Sequence, residues 1–218
     1  MYFKSRLQAG QILAKQVVKK YKGQHCAVVA LNDGGVLIGT QIALGLHCVL
    51  TMLLTEAINL PRENAALAGI SQDGSFSYNE QYSPGEIEEF VSEYYHFIEQ
   101  EKVSKVEEIH RQTGRRNLIR RGLIKGRNVI LVTDGLADGF TLDVALQYLK
   151  PIRIKKLIVV TPLASVAAVD RMHVLADDIF CSSVVEDYIS TDHYYDTNDV
   201  PPHNKVIAIV ERIVSHWE

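Results

Sequence analysis

Asn128-Val-Ile-Leu-Val-Thr-Asp-Gly-Leu-Ala-Asp-Gly-Phe-Thr141 is the most informative stretch of this chain. Its apolar residues predict a buried strand over 129–133, its glycines predict a loop, and a helix is expected from about residue 141. A strand that leads through a glycine-flanked loop into a helix brings backbone N–H groups and the positive end of a helix dipole to one point. The stretch therefore predicts a binding site for a phosphate group.

Strands and helices alternate on both sides of this stretch. Further strands are predicted at 26–31, 48–54, 156–161 and 178–182, with strand-like pieces at 67–70 and 75–78. Helices are predicted at 5–23, 36–46, 83–110, 141–150, 165–175 and 203–217, the third from the capping box Ser83-Pro-Gly-Glu86. Such alternation implies a mainly parallel α/β sheet. Ligands of these sheets bind beyond the carboxyl ends of the strands, where the turn 32–35 and the loop 134–141 are expected.

The composition narrows the class of protein. The 218 residues fit a single domain, 1–218, and 47% hydrophobic with 22% charged residues is typical of a globular protein. A formal net charge of −3 gives no general attraction to nucleic acid or membranes. Three scattered cysteines without a Cys-x-x-Cys pair favour free thiols over a disulfide framework or zinc site. Because neither a signal peptide nor a membrane-length apolar run is found, we expect a cytoplasmic protein without nucleic-acid or membrane partners.

Four segments resemble one bacterial branch of the type I phosphoribosyltransferases. The central stretch resembles the family's motif for binding 5-phosphoribosyl 1-pyrophosphate (PRPP), in which four apolar residues and two acids precede a small loop. Phe3-Lys-Ser-Arg-Leu-Gln-Ala-Gly10, Leu31-Asn-Asp-Gly-Gly-Val36 and Ala68-Gly-Ile-Ser-Gln-Asp-Gly74 resemble three further motifs of that branch. The resemblance covers nearly the whole chain. It implies a three-layer fold, a mainly parallel sheet flanked by helices, with a small hood and a mobile loop at about 107–127.

The resemblance also implies an activity, the transfer of a 5-phosphoribosyl group from PRPP to a nitrogen nucleophile. Asp134 would hold the ribose hydroxyls and the Mg²⁺ that accompanies PRPP, and Arg115 or Arg116 would meet pyrophosphate, so these three are the expected catalytic residues. Family members are commonly homodimers, which we also expect here. The implied binding residues for the small-molecule donor are Asn32, Asp33, Gly34, Gly35, Thr133, Asp134, Gly135, Leu136, Ala137, Asp138, Gly139, Phe140 and Thr141.

This chain departs from the motifs at three positions. Thr133 replaces the first acid, Asp138 replaces a threonine that donates to phosphate, and Asp33 stands where the branch has arginine. Two unit charges about 4 Å apart repel by roughly 4 kcal/mol at an effective dielectric near 20, so Asp138 and Asp33 should weaken anion binding. Each residue also has a purely structural interpretation: a helix N-cap for Asp138, a turn residue for Asp33, and a locally bonded hydroxyl for Thr133.

Two other segments allow two interpretations each. The basic run from Arg111 to Arg127 is either the loop that contacts pyrophosphate or a solvated loop that pairs with the preceding glutamate-rich helix. No aromatic residues alternate with its charges, as a nucleic-acid platform would require. An aromatic stretch near the C-terminus either lines the pocket of the nucleophile or packs beneath a long loop; it contains Tyr188, His193, Tyr194 and Tyr195.

Three functions remain open at the level of the sequence. The first is a phosphoribosyltransferase, intact or impaired by the three departures. The second is a binding or regulatory module that keeps the fold and has lost catalysis. The third is an enzyme for a less phosphorylated ribose donor. In this enzyme Asp138 would accept a hydrogen bond from a hydroxyl group of the donor.

Overall fold

The computed structural model describes residues 2–61, 63, 65–114 and 119–217, with side chains as far as residue 213. The chain forms two compact units. The first contains Met1–Leu53, Leu118–Gly139 and Ile152–Glu218, and the second contains Leu54–Asn117 and Phe140–Pro151. No helix of the described chain is long and apolar enough to cross a membrane. The single domain over 1–218 stays a prediction.

The helices and strands alternate along most of the chain. The helices are α1 (Arg6–Tyr21), α2 (Asp33–Leu46), α3 (Pro84–Gln112), α4 (Arg121–Ile124), α5 (Phe140–Leu149), α6 (Val166–Leu175) and α7 (His203–Trp217), with a 3-10 turn at Asp192–Tyr194. The strands are β1 (Cys26–Ala30), β2 (Val49–Met52), β3 (Thr55–Ile58), β4 (Ala68–Ser71), β5 (Phe76–Tyr78), β6 (Asn128–Val132), β7 (Lys156–Ser165) and β8 (Asp178–Val185).

The first unit is built on a parallel sheet with the strand order β2-β1-β6-β7-β8. Every residue of β1, β2 and β6 is buried, because helices cover both faces of the sheet. The predicted α/β class with a mainly parallel sheet is confirmed. Since β1 and β6 are neighbours and run in the same direction, the segments that follow them meet at one edge of the sheet.

Helix α2 begins earlier than the sequence predicted. Residues 32–35 were expected to form a turn before a helix at Val36, but the helix begins at Asp33. Asn32 is its N-cap, and the Oδ1 atom of this side chain accepts a hydrogen bond from the N–H group of Gly35 at 2.7 Å. The Asn-Asp-Gly-Gly sequence therefore forms a capped first helical turn, in which Asn satisfies an otherwise unpaired donor.

The second unit contains the antiparallel sheet β3-β4-β5 with helices α3 and α5. The sequence did not predict β3, a half-buried strand of only four residues. The predicted capping box opens α3, where the N–H group of Ser83 donates to the Oε2 atom of Glu86 at 2.8 Å. Helix α3 continues to Gln112, so residues 107–112 of the expected mobile loop are helical. Residues 115–118 lie outside the described residues.

Candidate functional site

Asp134 lies at the centre of the candidate site, two residues after the end of β6. It is 4% exposed, and both oxygens of its carboxylate accept hydrogen bonds. The Nδ2 atom of Asn32 donates to Oδ1 at 2.7 Å, and the Nε atom of Arg6 donates to Oδ2 at 2.6 Å. The side chain expected to hold ribose and Mg²⁺ is therefore bound on both oxygens by groups of the protein itself.

Arg6 is a buried cation, with only 2% of its surface exposed. Its Nη2 atom donates to Asp192, and its Nη1 atom donates to Oδ1 of Asn198 at 3.1 Å. The guanidinium carbon lies 4.3 Å from the centre of the Tyr195 ring, in the geometry of a cation–π contact. Burial lowers the pKa of Arg6, but the hydrogen bond and charge of Asp134 outweigh burial and leave that pKa raised. Arg6 is therefore charged at every physiological pH.

Gly34 provides the space in which the Arg6–Asp134 ion pair forms. A Cβ atom at this position would lie 1.9 Å from Oδ2 of Asp134 and 2.7 Å from Nε of Arg6. Both distances are far below van der Waals contact, so any side chain at position 34 would have to displace the pair. The first turn of α2 thus fits against the ion pair only with glycine at this position.

The aromatic stretch near the C-terminus covers the start of the 134–141 loop. The hydroxyl of Tyr195 donates to the backbone carbonyl of Asp134 at 2.6 Å, and burial followed by the charge of Asp134 raises the pKa of this tyrosine. A Cβ atom on Gly135 would lie 2.4 Å from the Tyr188 hydroxyl and 2.8 Å from Oγ1 of Thr191. Tyr194 and Tyr195 are buried, as expected for aromatic residues that pack beneath a long loop.

Thr133 forms local hydrogen bonds. Its Oγ1 atom accepts from Nδ2 of Asn32 at 3.2 Å and donates to the carbonyl of Gly135 at 3.0 Å. The side chain is buried, with 3% of the residue exposed. These contacts match the structural interpretation of Thr133, and its role as a ribose contact stays a prediction.

The loop after Gly135 retains features of an anion-binding loop. Leu136 is anchored to the sheet, since its N–H group donates to the carbonyl of Leu163 at 3.1 Å. Gly139 has a φ angle of +82°, which glycine adopts without strain. Within the described part of the chain, the N–H groups of Ala137 and Gly139 have no protein acceptor. Two backbone donors that precede a helix along the chain are thus available to an anion.

Asp138 adds a negative charge to the same loop, where its side chain is exposed. The helix that follows begins at Phe140, so Gly139 and not Asp138 directly precedes it. Phe140 and Thr141 are the first two residues of α5 and belong to the second unit. The helix thus begins where the sequence indicated, and the N-cap role of Asp138 stays a prediction.

Asp33 forms a second contact that the sequence did not predict. Its Oδ1 atom accepts a hydrogen bond from Nδ1 of His203 at 2.7 Å. His203 is the first residue of α7, and α7 packs against α2 and β2. The expected pyrophosphate turn thus carries a carboxylate paired with a histidine, where the resembling family branch has an arginine.

The described residues do not offer Mg²⁺ a suitable site. Mg²⁺ is usually bound by one or two carboxylates together with substrate phosphates. Both oxygens of Asp134 already bind nitrogen donors, and one donor is the cationic Arg6. No group of three or more histidine, cysteine or acidic residues able to hold a metal occurs among the described residues. Arg115 and Arg116, the other expected catalytic residues, lie outside them.

Sequence reasoning missed Arg6 as a partner of Asp134 and missed the further partners of Arg6 and Asp33, and only Arg6 carried a signal. Arg6 lies on the same face of α1 as Ala9, Leu13 and Val17, which are all buried. A charged residue in an apolar stripe indicates a buried ion pair, because a buried charge needs a partner. The remaining missed residues belong to a stretch without periodicity or start the last helix: Asp192, Asn198, Asp199 and His203.

A known protein family matches the part of the chain that forms the candidate site. The model of the phosphoribosyl transferase domain matches residues 3–198, which includes Arg6, the turn at 32–35 and the loop at 134–141. The chain belongs to the phosphoribosyltransferase family. Two provisionally named phosphoribosyl transferases from strains of Mycobacterium tuberculosis are each 23% identical to it over 215 residues. The match covers 96% of this chain and 46% of either relative, so the chain spans about half their length.

Solved structures share the phosphoribosyltransferase fold. The protein TT1426 from Thermus thermophilus is 23% identical, with a TM-score of 0.74 over 100% of this chain and 99% of its own. A hypoxanthine phosphoribosyltransferase from Staphylococcus aureus is 13% identical, with a TM-score of 0.51 over 86% of this chain and 78% of its own. These similarities confirm the expected fold.

Proposed function

We propose that this phosphoribosyltransferase-family protein binds a ribose phosphate at its 134–141 loop and has lost most or all phosphoribosyl transfer. The observation that carries the proposal is the engagement of both carboxylate oxygens of Asp134 by Arg6 and Asn32. A transferase needs this acid to hold the donor and its metal during reaction. Here the protein satisfies the acid before any ligand arrives.

The loop geometry supports retained ligand binding. The N–H groups of Ala137 and Gly139 can donate to a phosphate, and a carboxylate can accept more than two hydrogen bonds. Asp134 can therefore still accept from a ribose hydroxyl while Arg6 and Asn32 remain bound. The exposed carboxylate of Asp138 opposes the phosphate, so the affinity for ribose phosphates should be modest.

The charge around the pyrophosphate turn further disfavours transfer from PRPP. In the family branch an arginine would attract pyrophosphate, whereas here Asp33 presents a carboxylate. Transfer reactions of this kind depend on charge stabilisation and positioning of the leaving group. Replacing a cation with an anion at this position removes the stabilisation on the side where pyrophosphate leaves.

Phosphoribosyl transfer is the second candidate function, and the lone pairs of Asp134 that Arg6 and Asn32 leave unused favour it. The ion pair with Arg6 fixes the orientation of this acid, and its remaining lone pairs have no hydrogen-bond partner among the described residues. Arg115 and Arg116 would then contact pyrophosphate, and Mg²⁺ would accompany PRPP, as expected from the sequence. The homodimer and the cytoplasmic location are proposals as well.

Two measurements on the whole protein separate the candidates. Calorimetric titration with ribose 5-phosphate tests the binding function, and release of pyrophosphate from PRPP with a panel of nucleobases and Mg²⁺ tests transfer. Ribose 5-phosphate binding without pyrophosphate release is the expected result. Steady pyrophosphate release with any base would overturn the proposal in favour of transfer, and the absence of both ribose 5-phosphate binding and pyrophosphate release would refute both candidates.

A further inference from the structure

We propose that Arg6 occupies the place at Asp134 that a divalent cation would take, so that the site binds its ligand without Mg²⁺. This inference rests on the proposed function, since it concerns how the same site binds a ribose phosphate. It follows from the mismatch between the expected metal-binding carboxylate and the groups that surround it.

Carboxylates surround the guanidinium group as ligands surround a metal ion. Asp134 accepts from Nε at 2.6 Å, Asp192 accepts from Nη2, and Oδ1 of Asp199 lies 4.0 Å from Nη1. The amide oxygen of Asn198 lies 3.1 Å from Nη1. Carboxylate and amide oxygens are the protein ligands of Mg²⁺, and here they converge on a fixed organic cation.

Three features hold the guanidinium in this position. It is almost completely buried, its central carbon lies 4.3 Å from the centre of the Tyr195 ring, and the absence of a side chain at Gly34 leaves room for the ion pair. A metal ion that displaced Arg6 would leave a buried cation without its partner, which is strongly unfavourable. Competition for Asp134 therefore favours Arg6 over a divalent cation.

This arrangement narrows the ligand class to a ribose that carries a single phosphate at C5. Pyrophosphate needs a metal ion to offset its charge. Neither acid is available to bind that metal ion, since Asp134 is paired with Arg6 and Asp33 is paired with His203. A single phosphate can instead be bound by the backbone donors of the loop. Ribose 5-phosphate and nucleoside 5′-monophosphates both have this chemistry.

The first test compares wild-type binding of ribose 5-phosphate in excess Mg²⁺ and in EDTA at matched ionic strength. The expected change in dissociation constant is less than about twofold, which is the effect of screening alone. Loss of binding in EDTA would overturn the inference. A nucleoside 5′-monophosphate measured in the same way shows whether the base contributes.

The second test needs no ribose ligand and uses Mn²⁺ alone, followed by electron paramagnetic resonance. Arg6→Met removes the charge and keeps an unbranched but shorter side chain, so this variant should bind Mn²⁺ at least about tenfold tighter than wild type. The matched control is the double variant Arg6→Met/Asp134→Asn, which removes both charges and should lose the gain. Equal Mn²⁺ binding by Arg6→Met and wild type, or tight binding by wild type, would refute the inference.

The two tests distinguish a failure of the proposed function from a failure of the inference about Arg6. If wild type binds no ribose phosphate, the proposed function fails, and the Mn²⁺ titration still decides whether Arg6 takes the place of the cation. If wild type binds ribose 5-phosphate only with Mg²⁺, the proposed function stands and the inference about Arg6 fails. Should Arg6→Met not fold, the comparison of Mg²⁺ with EDTA on wild type remains decisive.

Discussion

The Nε atom of Arg6 lies 2.6 Å from Oδ2 of Asp134, although the two residues are 128 positions apart in the chain. This ion pair connects the first turn of α1 with the loop that follows β6. It joins two of the segments in which this chain resembles the phosphoribosyltransferase family. The same contact buries both charged groups within the first unit and occupies one carboxylate oxygen of the candidate site.

Removal of Arg6 alone should destabilise the protein severely. Arg6→Met leaves the buried Asp134 carboxylate with Asn32 as its main partner, and breaking one side of a buried ion pair costs about 3–5 kcal/mol. Arg6→Met/Asp134→Asn removes both charges and should recover most of the loss, because no charge then remains buried without a partner. Urea denaturation followed by circular dichroism measures both values. Equal stability of the single and double variants would show that the pair is not coupled.

Gly34→Ala should disrupt the ion pair without altering either charged residue. The added Cβ atom would lie 1.9 Å from Oδ2 of Asp134, so the carboxylate or the helix must move. We expect a loss of about 1–3 kcal/mol in the free energy of unfolding, typical of overpacking. Gly122→Ala in α4 is the control, because a Cβ atom there meets nothing within 4 Å. A Gly34→Ala protein as stable as the control would contradict the packing described for this turn.

Tyr195→Phe tests the hydrogen bond that fixes the loop backbone. The tyrosine hydroxyl donates to the buried carbonyl of Asp134 at 2.6 Å, and its loss leaves this carbonyl without that donor. The expected cost is roughly 1–2 kcal/mol. Tyr95→Phe serves as control, since Tyr95 is 55% exposed and should tolerate the change. Thermal denaturation of both variants measures the difference, and equal melting temperatures would refute the role of the Tyr195 hydroxyl.

The sequence predicted the framework better than the site, and the reasons differ from element to element. Continuous apolar runs predicted β1 and β6, because strands covered on both faces need no polar residues. The motif resemblance brought Asn32 and Asp134 to one sheet edge, where the structure places them in contact at 2.7 Å. Local patterns predicted the helices at 5–23 and 203–217, which the structure shows as α1 and α7.

The partners of the site residues could not be predicted in this way. Asp192 and Asn198 reach Arg6 from a stretch whose conformation depends on tertiary hydrogen bonds, such as that from the N–H group of Phe3 to the carbonyl of Tyr194 at 3.0 Å. His203 meets Asp33 across 170 positions of the chain. No local spacing encodes such pairs, so one sequence cannot show that the acids of the site are already engaged.

Stability should depend on pH through Asp178, the first residue of β8. Hydrogen bonds from Lys20 and then Tyr21 lower the pKa of this carboxyl in the folded protein. The unfolded pKa of an aspartate is about 3.9. Because the folded pKa is lower, the ionised carboxyl stabilises the folded protein at any pH above the unfolded pKa, and this stabilisation is lost as the pH falls through the folded pKa. The stability gap between wild type and Asp178→Asn should therefore shrink from pH 7 to pH 3. Urea unfolding at both values measures the gap, and a constant gap would contradict the lowered pKa.

Asp138→Thr should improve phosphate binding, because it removes an exposed carboxylate from the loop and adds a hydroxyl donor. Relief of even a screened part of a roughly 4 kcal/mol repulsion corresponds to about tenfold or more in affinity for ribose 5-phosphate. Glu88→Gln on the exposed side of α3 makes the same change in net charge in the other unit and should leave the affinity unchanged. Calorimetric titration in EDTA compares both variants with wild type. If Asp138→Thr and Glu88→Gln shift the affinity equally, the effect comes from overall charge and the 134–141 loop does not bind the phosphate.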